Sequence, residues 1–588
     1  MKRFQWLLAL VAVCMVATAC GGSSSSSSPS ATSASNTATS GTATSGTTTT
    51  SATATNTGKI GGKVVIDNES GSTWTCGFNP FNSSVLGPGL TFALMYEPLE
   101  FVNILQSTTP PQPWLATASQ WSNGYKTLTF TIRNGVTWSD GKPFSAADVA
   151  YTFNAMKSDK AIDLNAIWTA DGGPLTSVAV KGTDQVVLTF KAPSQTFFYW
   201  VADQTPIVPQ HIWSTLNQSK LHTYADTRPV GTGPYVMSNC SGQNIKYLRN
   251  PHYWQSTASH PVPQIQEVDY PAFLSNTPGN LALSQGQAQW GGQYIPNIQT
   301  FYIGKDPAHR HIWFPPVGNV SLVPNLTNPQ LSKLAVRQAM AYAIDKATVA
   351  RLGESGYQQP ANQTGVITPT FQSWVDSSLQ QPTYNPAKAE QVLKSAGFTK
   401  GSDGIYQDSS GKLSFTIKTI SGYSDWDSSL QIITQELKAV GIAVNVQDEN
   451  STPYAADLQG GHFQLAYAGS GGLGPIPGPS PYYELRGALF SGSIGSYNFS
   501  RYKSGSTDAL FNQYAAAGQS QQVDIIHQIQ KVMVDQIPFI PVTEGVDWFQ
   551  YDTTNTGGWP TESNPFAQPS PYASPDNGVV VTHLYPTQ

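Results

Sequence analysis

Three groups of residues in this 588-residue chain have types and spacings that could carry chemistry. Gly469-Ser470-Gly471-Gly472-Leu473-Gly474 satisfies GxGxxG after the apolar run Phe463–Ala468, the pattern of a loop that cradles a pyrophosphate at a helix N-terminus. Pro475, Pro477 and Pro479 follow at once. Proline lacks an N–H and clashes with the preceding turn, so the required helix does not start there and the run reads as a pocket loop. His309 and His311 would face the same way on a strand and could hold a metal. No third ligand stands at supporting spacing, so they read as structural and no metal is expected. No Ser-His-Asp order, HExxH or P-loop with its lysine occurs, which argues against an enzyme and against any cofactor.

The third group is aromatic: Trp74, Tyr96, Trp290, Trp426, Tyr467, Tyr482 and Trp559 all lie in or beside loops. Flat ring faces together with amide groups are what a neutral, hydroxyl-rich ligand needs. Each ring taken alone reads equally as core packing, so the case rests on the group. Composition agrees with a neutral partner. Charged residues make up 11% of the chain, against roughly 25% in ordinary soluble proteins, and the net charge is -5. The basic stripe that neutralises phosphates is missing, which excludes nucleic acid. At this length the chain is expected to split into two or three lobes.

The N-terminus supplies an address. Lys2-Arg3, an apolar run from Phe4 to about Val16, and Ala17-Thr18-Ala19-Cys20 have the three-part layout of a secretory signal over residues 1–19. The small residues before Cys20 resemble the bacterial lipobox, with Ala17 where leucine is commonest. That resemblance implies cleavage before Cys20 and a diacylglycerol on its thiol; the other reading is a plain signal peptide with a chance cysteine. Residues 20–58 are nearly all Ser, Thr, Ala and Gly without charge, which reads as a tether too polar to offset its own ordering entropy.

The elements that must position the candidate residues are clearest from Thr127 to Lys157. Leu128, Phe130 and Ile132 alternate as in a half-buried strand, Asp140-Gly141-Lys142-Pro143 is a turn, and Ser145 with Asp148 can cap a helix carrying Val149, Phe153 and Met156 on one face. This run, NGVTWSDGKPFSAADVAYTF at its centre, closely resembles the signature segment of the family 5 solute-binding proteins of bacterial ABC importers, which take up oligopeptides, dipeptides, nickel or oligosaccharides. Further segments resemble the family in the same order: Tyr96-Glu97-Pro98-Leu99, the return segment Pro229–Tyr235, Tyr247–Trp254, and Leu334–Leu352. Gln289 stands where relatives carry an acid. The tail, GGWPTESNPFA around Trp559, resembles the cello-oligosaccharide receptors. The resemblance spans Lys59 to Gln588.

It implies an α/β protein with the class II periplasmic-binding-protein fold, two lobes and a hinge, plus the extra inserted domain of the peptide-binding cluster. The expected divisions are lobe I over 59–97, 216–320 and 544–588, an inserted domain II over 98–215, and lobe III over 321–543. Lobe III reads as alternating strands and helices. One helix face carries Val336, Met340, Ala343, Ile344 and Ala347; a second helix opens at Asn385-Pro386 and closes at Gly397; a third starts at Asp427 between the strands LSFTIKTI and IAVNVQ; a late one carries Val523, Ile526 and Met533. Cys76 and Cys240 form one disulfide or remain two buried thiols. The resemblance further implies a monomer, extracytoplasmic and anchored to the cell membrane as a lipoprotein. Its partners would be a small-molecule ligand and ABC permease subunits with their ATPases. Peptide receptors of the family anchor the ligand's amino terminus on an aspartate after a lobe III strand. Here that segment holds only Glu484, which favours a neutral oligosaccharide, with an oligopeptide as the alternative.

Overall fold

Gly61–Asp67 forms a strand whose Val64 and Ile66 are fully buried, at the centre of a seven-stranded sheet. It runs parallel to Ile265–Pro271 on one side and to Trp290–Gly291 on the other; Asn244–Arg249 and Tyr235–Cys240 extend the first edge, Gln550–Asp552 and Arg310–Ile312 the second. The computed structural model describes residues 58–67, 73–82, 92–168, 174–469, 478–494 and 496–588. The leader with Cys20, the Ser/Thr-rich run to Thr57 and the glycine-rich run beyond Gly469 lie outside the described residues.

The chain leaves this sheet to build a separate antiparallel sheet from Ala116–Ser122, Thr127–Ile132, Gln185–Phe190 and Leu175–Lys181, in that spatial order. Leu128, Phe130 and Ile132 are buried, as their alternation predicts. The helix Ala146–Ser158 starts with a capping box: the Ser145 hydroxyl accepts from the Ala147 N–H and the Asp148 carboxylate accepts from the Ser145 N–H. Val149, Phe153 and Met156 are buried beneath it.

The signature loop works as a fastener. The Ser139 N–H donates to Gly231 O at 2.9 Å, tying it to the return segment, while Asp140 pairs with His211 at 2.8 Å and Asp148 accepts from the Gln210 N–H at 2.9 Å. The return segment itself lies directly on the outgoing one. A Cβ at Gly231 would stand 1.8 Å from Met95 O, so no side chain fits there. Cys76 and Cys240 are joined by a disulfide that ties the loop after the first strand to the sheet's far edge.

A six-stranded mixed sheet forms the second lobe, in the order Gln359–Pro360, Ile540–Val546, Pro316–Pro324, Leu465–Gly469, Ser414–Ile420, Ala443–Glu449. The last two strands are parallel and connected by the helix Ser424–Ala439, which buries Trp426, Leu430, Ile433 and Leu437. This helix starts at Ser424, not at Asp427. Asp425 and Asp427 both sit in its first turn, where carboxylates oppose the positive end of the dipole. The apolar face predicted over Leu334–Leu352 is also interrupted. The helix ends at Ala343, Ile344 is extended, and the Asp345 side chain accepts from the Thr348 N–H to cap a new turn. The Asn385 cap and the helix Pro386–Ser395 form as expected. In the helix Gln519–Gln536, Ile526 and Met533 are buried and Val523 is half-buried.

Two short passages join the large sheets: one from Arg310–Ile312 to Pro316–Pro324, the other from Ile540–Val546 back to Gln550–Asp552. They are bonded to each other, Trp313 N–H to Phe549 O at 3.1 Å and Asp547 N–H to Pro315 O at 2.9 Å.

Candidate functional site

The seven aromatics singled out in the sequence fall into separate packing groups, none more than 6% exposed. Trp74 lies against Tyr270, its indole N–H donating to Tyr270 O at 2.8 Å. Tyr96 donates to the buried Asp226. Trp290 and Trp559 meet at 5.6 Å inside the seven-stranded lobe and donate to Pro569 O and Thr556 O. Tyr482 stacks on Tyr514 at 4.3 Å. Trp426 and Tyr467 meet at 5.4 Å, and Trp426 continues to the half-buried Tyr423 at 5.2 Å.

A different aromatic group stands where the two lobes and the hinge converge. The Tyr294 and Ser355 hydroxyls are 2.6 Å apart, and the Ile298 N–H donates to the Tyr357 hydroxyl at 3.1 Å, so the lobes touch directly. Around these contacts Trp548, on the second hinge passage, lies 5.5 Å from Tyr294, 5.0 Å from Phe314 and 6.1 Å from Tyr357. Tyr572 accepts from the Trp548 N–H at 3.2 Å. Phe314, Tyr357, Trp548 and Tyr572 are half-buried, unlike the seven rings above. Sequence reading missed them because Phe314 and Trp548 sit on hinge passages and Tyr357 and Tyr572 in turns, none of which carries a periodic signal; an aromatic within a few residues of the point where the chain changes lobes could have found the first two.

Carboxyls lie in the same region. Asp547, on the hinge, accepts from the Gln568 side chain at 3.0 Å, and Asp576 accepts from the Gln568 N–H at 2.7 Å. Burial pushes Asp547 up to about 7, and burial together with the Asp203 charge pushes Asp576 well above the usual carboxylate range. Asp203, accepting from the Val102 N–H, is likewise raised to about 7 by burial. On the six-stranded lobe, burial raises Asp425 to about 6 and, with the Asp425 charge, holds Glu354 well above its ordinary value. Among the described residues no lysine or arginine pairs with any of the five. A buried carboxyl without a cation is held protonated or awaits one.

Glu484 is not part of this group. It is buried inside the six-stranded lobe and accepts from the Asn319 N–H and side-chain amide, beside a cavity of about 30 Å³. Gln289 spans two backbone sites, accepting from the Val65 N–H and donating to Gly286 O, a role that needs no charge. His309 bonds Asp306 and His311 packs on Tyr551, and no cluster of three metal-ligating side chains exists among the described residues.

Two lobes with paired crossing strands and an inserted antiparallel domain can be compared with known proteins as a whole. The family model for bacterial extracellular solute-binding proteins, family 5, matches residues 110–489, more than half of the chain. The chain belongs to this family. As a family 5 solute-binding protein it has the class II periplasmic-binding-protein fold with the extra domain, and it is a mixed α/β protein. Its relatives include the nickel-binding periplasmic protein of Escherichia coli, 25% identical over 68% of this chain and 75% of that one. The oligopeptide-binding protein OppA of Bacillus subtilis is 22% identical over 80% of this chain and 85% of that one. Among solved structures, a mannohexaose-bound periplasmic oligopeptide-binding protein of an oligopeptide ABC transporter from Thermotoga maritima superposes with a TM-score of 0.80. It covers 89% of this chain and 98% of the other at 24% identity, a likeness of fold. Family 5 members are extracellular binding proteins working with ABC permease components. No helix among the described residues is long and apolar enough to cross a membrane.

Proposed function

We propose that this family 5 solute-binding protein captures a neutral oligosaccharide between its lobes and delivers it to an ABC permease, itself catalysing nothing. The observation that supports this best is the set of half-buried rings where the lobes meet, Phe314, Tyr357, Trp548 and Tyr572, with Tyr423 of the six-stranded lobe close enough to act on Tyr572. Ring faces stack on sugars without asking for charge, and the hydroxyls and amides beside them can bond a polyol. The mannohexaose held by the Thermotoga maritima protein lends support from a similar fold. Binding would complete contacts to both lobes only when they meet, shifting the population toward the closed form.

A second reading, an oligopeptide or another ammonium-bearing solute, is favoured by the five buried carboxyls that lack a cation. The two readings differ in their pH dependence. Asp425 and Asp547 ionise only above about 6 and 7, so an ammonium ligand would bind more tightly as pH rises through that window. A neutral sugar gains nothing from their ionisation. Native mass spectrometry of protein purified without refolding, followed by tryptophan-fluorescence titration at several pH values, separates them. Saturable binding of cello- or manno-oligosaccharides that does not strengthen with pH is expected; binding of di- to pentapeptides that strengthens from pH 5 to 8, with no sugar response, would reverse the choice.

Lipid attachment at Cys20 and tethering through residues 20–58 belong to the same proposal. Cys20→Ala is expected to move the protein from the membrane fraction to the soluble one; continued anchoring would remove the lipid from the account.

A further inference from the structure

Tyr482 and Tyr483 are neighbours on the helix Pro481–Leu489, yet they serve different bodies. Tyr482 stacks on Tyr514 within the six-stranded lobe. Tyr483 reaches out of that lobe to the inserted domain: its ring lies edge-on to Tyr199 at 5.3 Å and to Trp200 at 5.8 Å, and its hydroxyl donates to Thr196 O at 3.0 Å. A second contact lies beside it, the Gln195 side-chain amide donating to Ala517 O at 2.9 Å. Val102, Ile104 and Tyr199, with Phe198, Trp200 and Tyr483 packed against them, form an apolar cluster of their own, distinct from the cores of both large lobes. Trp200 and Tyr483 stay half-buried, and Tyr483 also packs against the edge of the six-stranded core, so its ring bridges that lobe and the insert. The incoming chain is shaped to this ring as well. A Cβ at Gly478 would stand 2.5 Å from the Tyr483 ring, so only glycine lets the backbone lie against it.

We propose that the inserted domain is a third jaw of the receptor, and that Tyr483 is the positioning residue which latches the six-stranded lobe onto it when the cleft closes. The hinge side already has its own contact, Tyr294 with Ser355, made by the seven-stranded lobe. The Tyr483 contact is made by the insert instead, so closure is secured on two flanks by two different bodies. A satellite cluster of aromatic edges and one hydrogen bond is the size of device that biases a hinge equilibrium without freezing it. The latch rests on the two-lobe closing reading above but not on the ligand class.

The test therefore uses ligand-free protein. Spin labels at Lys181→Cys, on the insert, and Gln528→Cys, on the helix Gln519–Gln536, report the distance between the two bodies by pulsed electron resonance. Tyr483→Ala is expected to lower the ratio of short to long distances about tenfold, with Tyr483→Phe, which keeps both ring contacts, in between. Trp200→Ala should act alike, and the double variant should be no worse than either single one, with a cooperative urea transition showing that each variant is folded. If Tyr483→Ala fails to fold, Trp200→Ala carries the same readout. An unchanged distance distribution in a folded variant, or effects of the two substitutions that simply add, would overturn the latch. Loss of sugar binding with this distance behaviour intact would instead count only against the ligand reading.

Discussion

Replacing Glu97 with alanine is expected to destabilise the protein by about 3–5 kcal/mol, because three buried donors lose their acceptor at about 1–3 kcal/mol each before the site relaxes. Glu97 is 1% exposed and collects three donors from two other chain segments: the Trp114 indole at 2.8 Å from one, and the Tyr253 hydroxyl at 2.8 Å and the Trp254 indole at 2.9 Å from the other. Arg133 lies over the Trp254 ring at 4.5 Å and feels the Glu97 charge. Glu97 thus pins the outgoing segment, the start of the insert and the RNPHYW return to one point. Alanine would orphan all three donors in a place water does not reach. Burial also raises Glu97 to about 7, its donors offsetting part of that shift. A carboxyl whose pKa is raised on folding lends stability at low pH that is lost as pH climbs through its folded value. Wild-type stability should therefore fall from pH 5 to 8 by a component that Glu97→Gln removes. Urea unfolding at both pH values checks this; a Glu97→Ala midpoint indistinguishable from wild type would refute the hub.

Removing the Cys76–Cys240 bridge is the second large effect, a loss of about 2–5 kcal/mol. The bridge closes a loop of 164 residues in sequence separation that contains the whole inserted sheet. Its main action is on the unfolded chain, which without it gains the freedom to separate the first strand from the return segment. The double substitution Cys76→Ser with Cys240→Ser should lower the unfolding midpoint accordingly, and reductant should do the same to wild type while leaving the double variant unaffected. Two alkylatable thiols in the unreduced, denatured protein would show that the bridge does not form.

Much of the architecture was legible because local signals agreed with one another. The Ser145–Asp148 box, the alternation Leu128, Phe130, Ile132 and the Asn385-Pro386 start each act through neighbours a few residues away, and each forms as written. The misplaced helix start at Asp427 and the break at Ile344 arise from competition between plausible caps within three or four residues, which periodicity does not resolve. The site was less legible, and for a different reason. Trp290 and Trp559 look like platforms because they sit beside glycines and prolines, yet those turns exist to fold the rings inward. Gly558 illustrates it: with φ +91 and a Cβ position 2.1 Å from His583 O, it brings Trp559 back under the closing segment. Which face of a loop aromatic is covered depends on segments hundreds of residues away, such as Pro569 over Trp290. Tyr294, Tyr357 and Trp548 come from three distant stretches and have meaning only once the lobes meet.

The two crossing passages, laced by the bonds from Trp313 to Phe549 and from Asp547 to Pro315, form a narrow ribbon. Such a ribbon flexes readily across its flat side but resists swivelling about its length and shearing sideways, because either would break both rungs. Under the closing proposal, the two large halves would therefore move as a door on a piano hinge, with a single angular coordinate. A lone pair of probes would then suffice to follow the whole excursion, and a captured solute would enter and leave along the arc that this one axis sweeps.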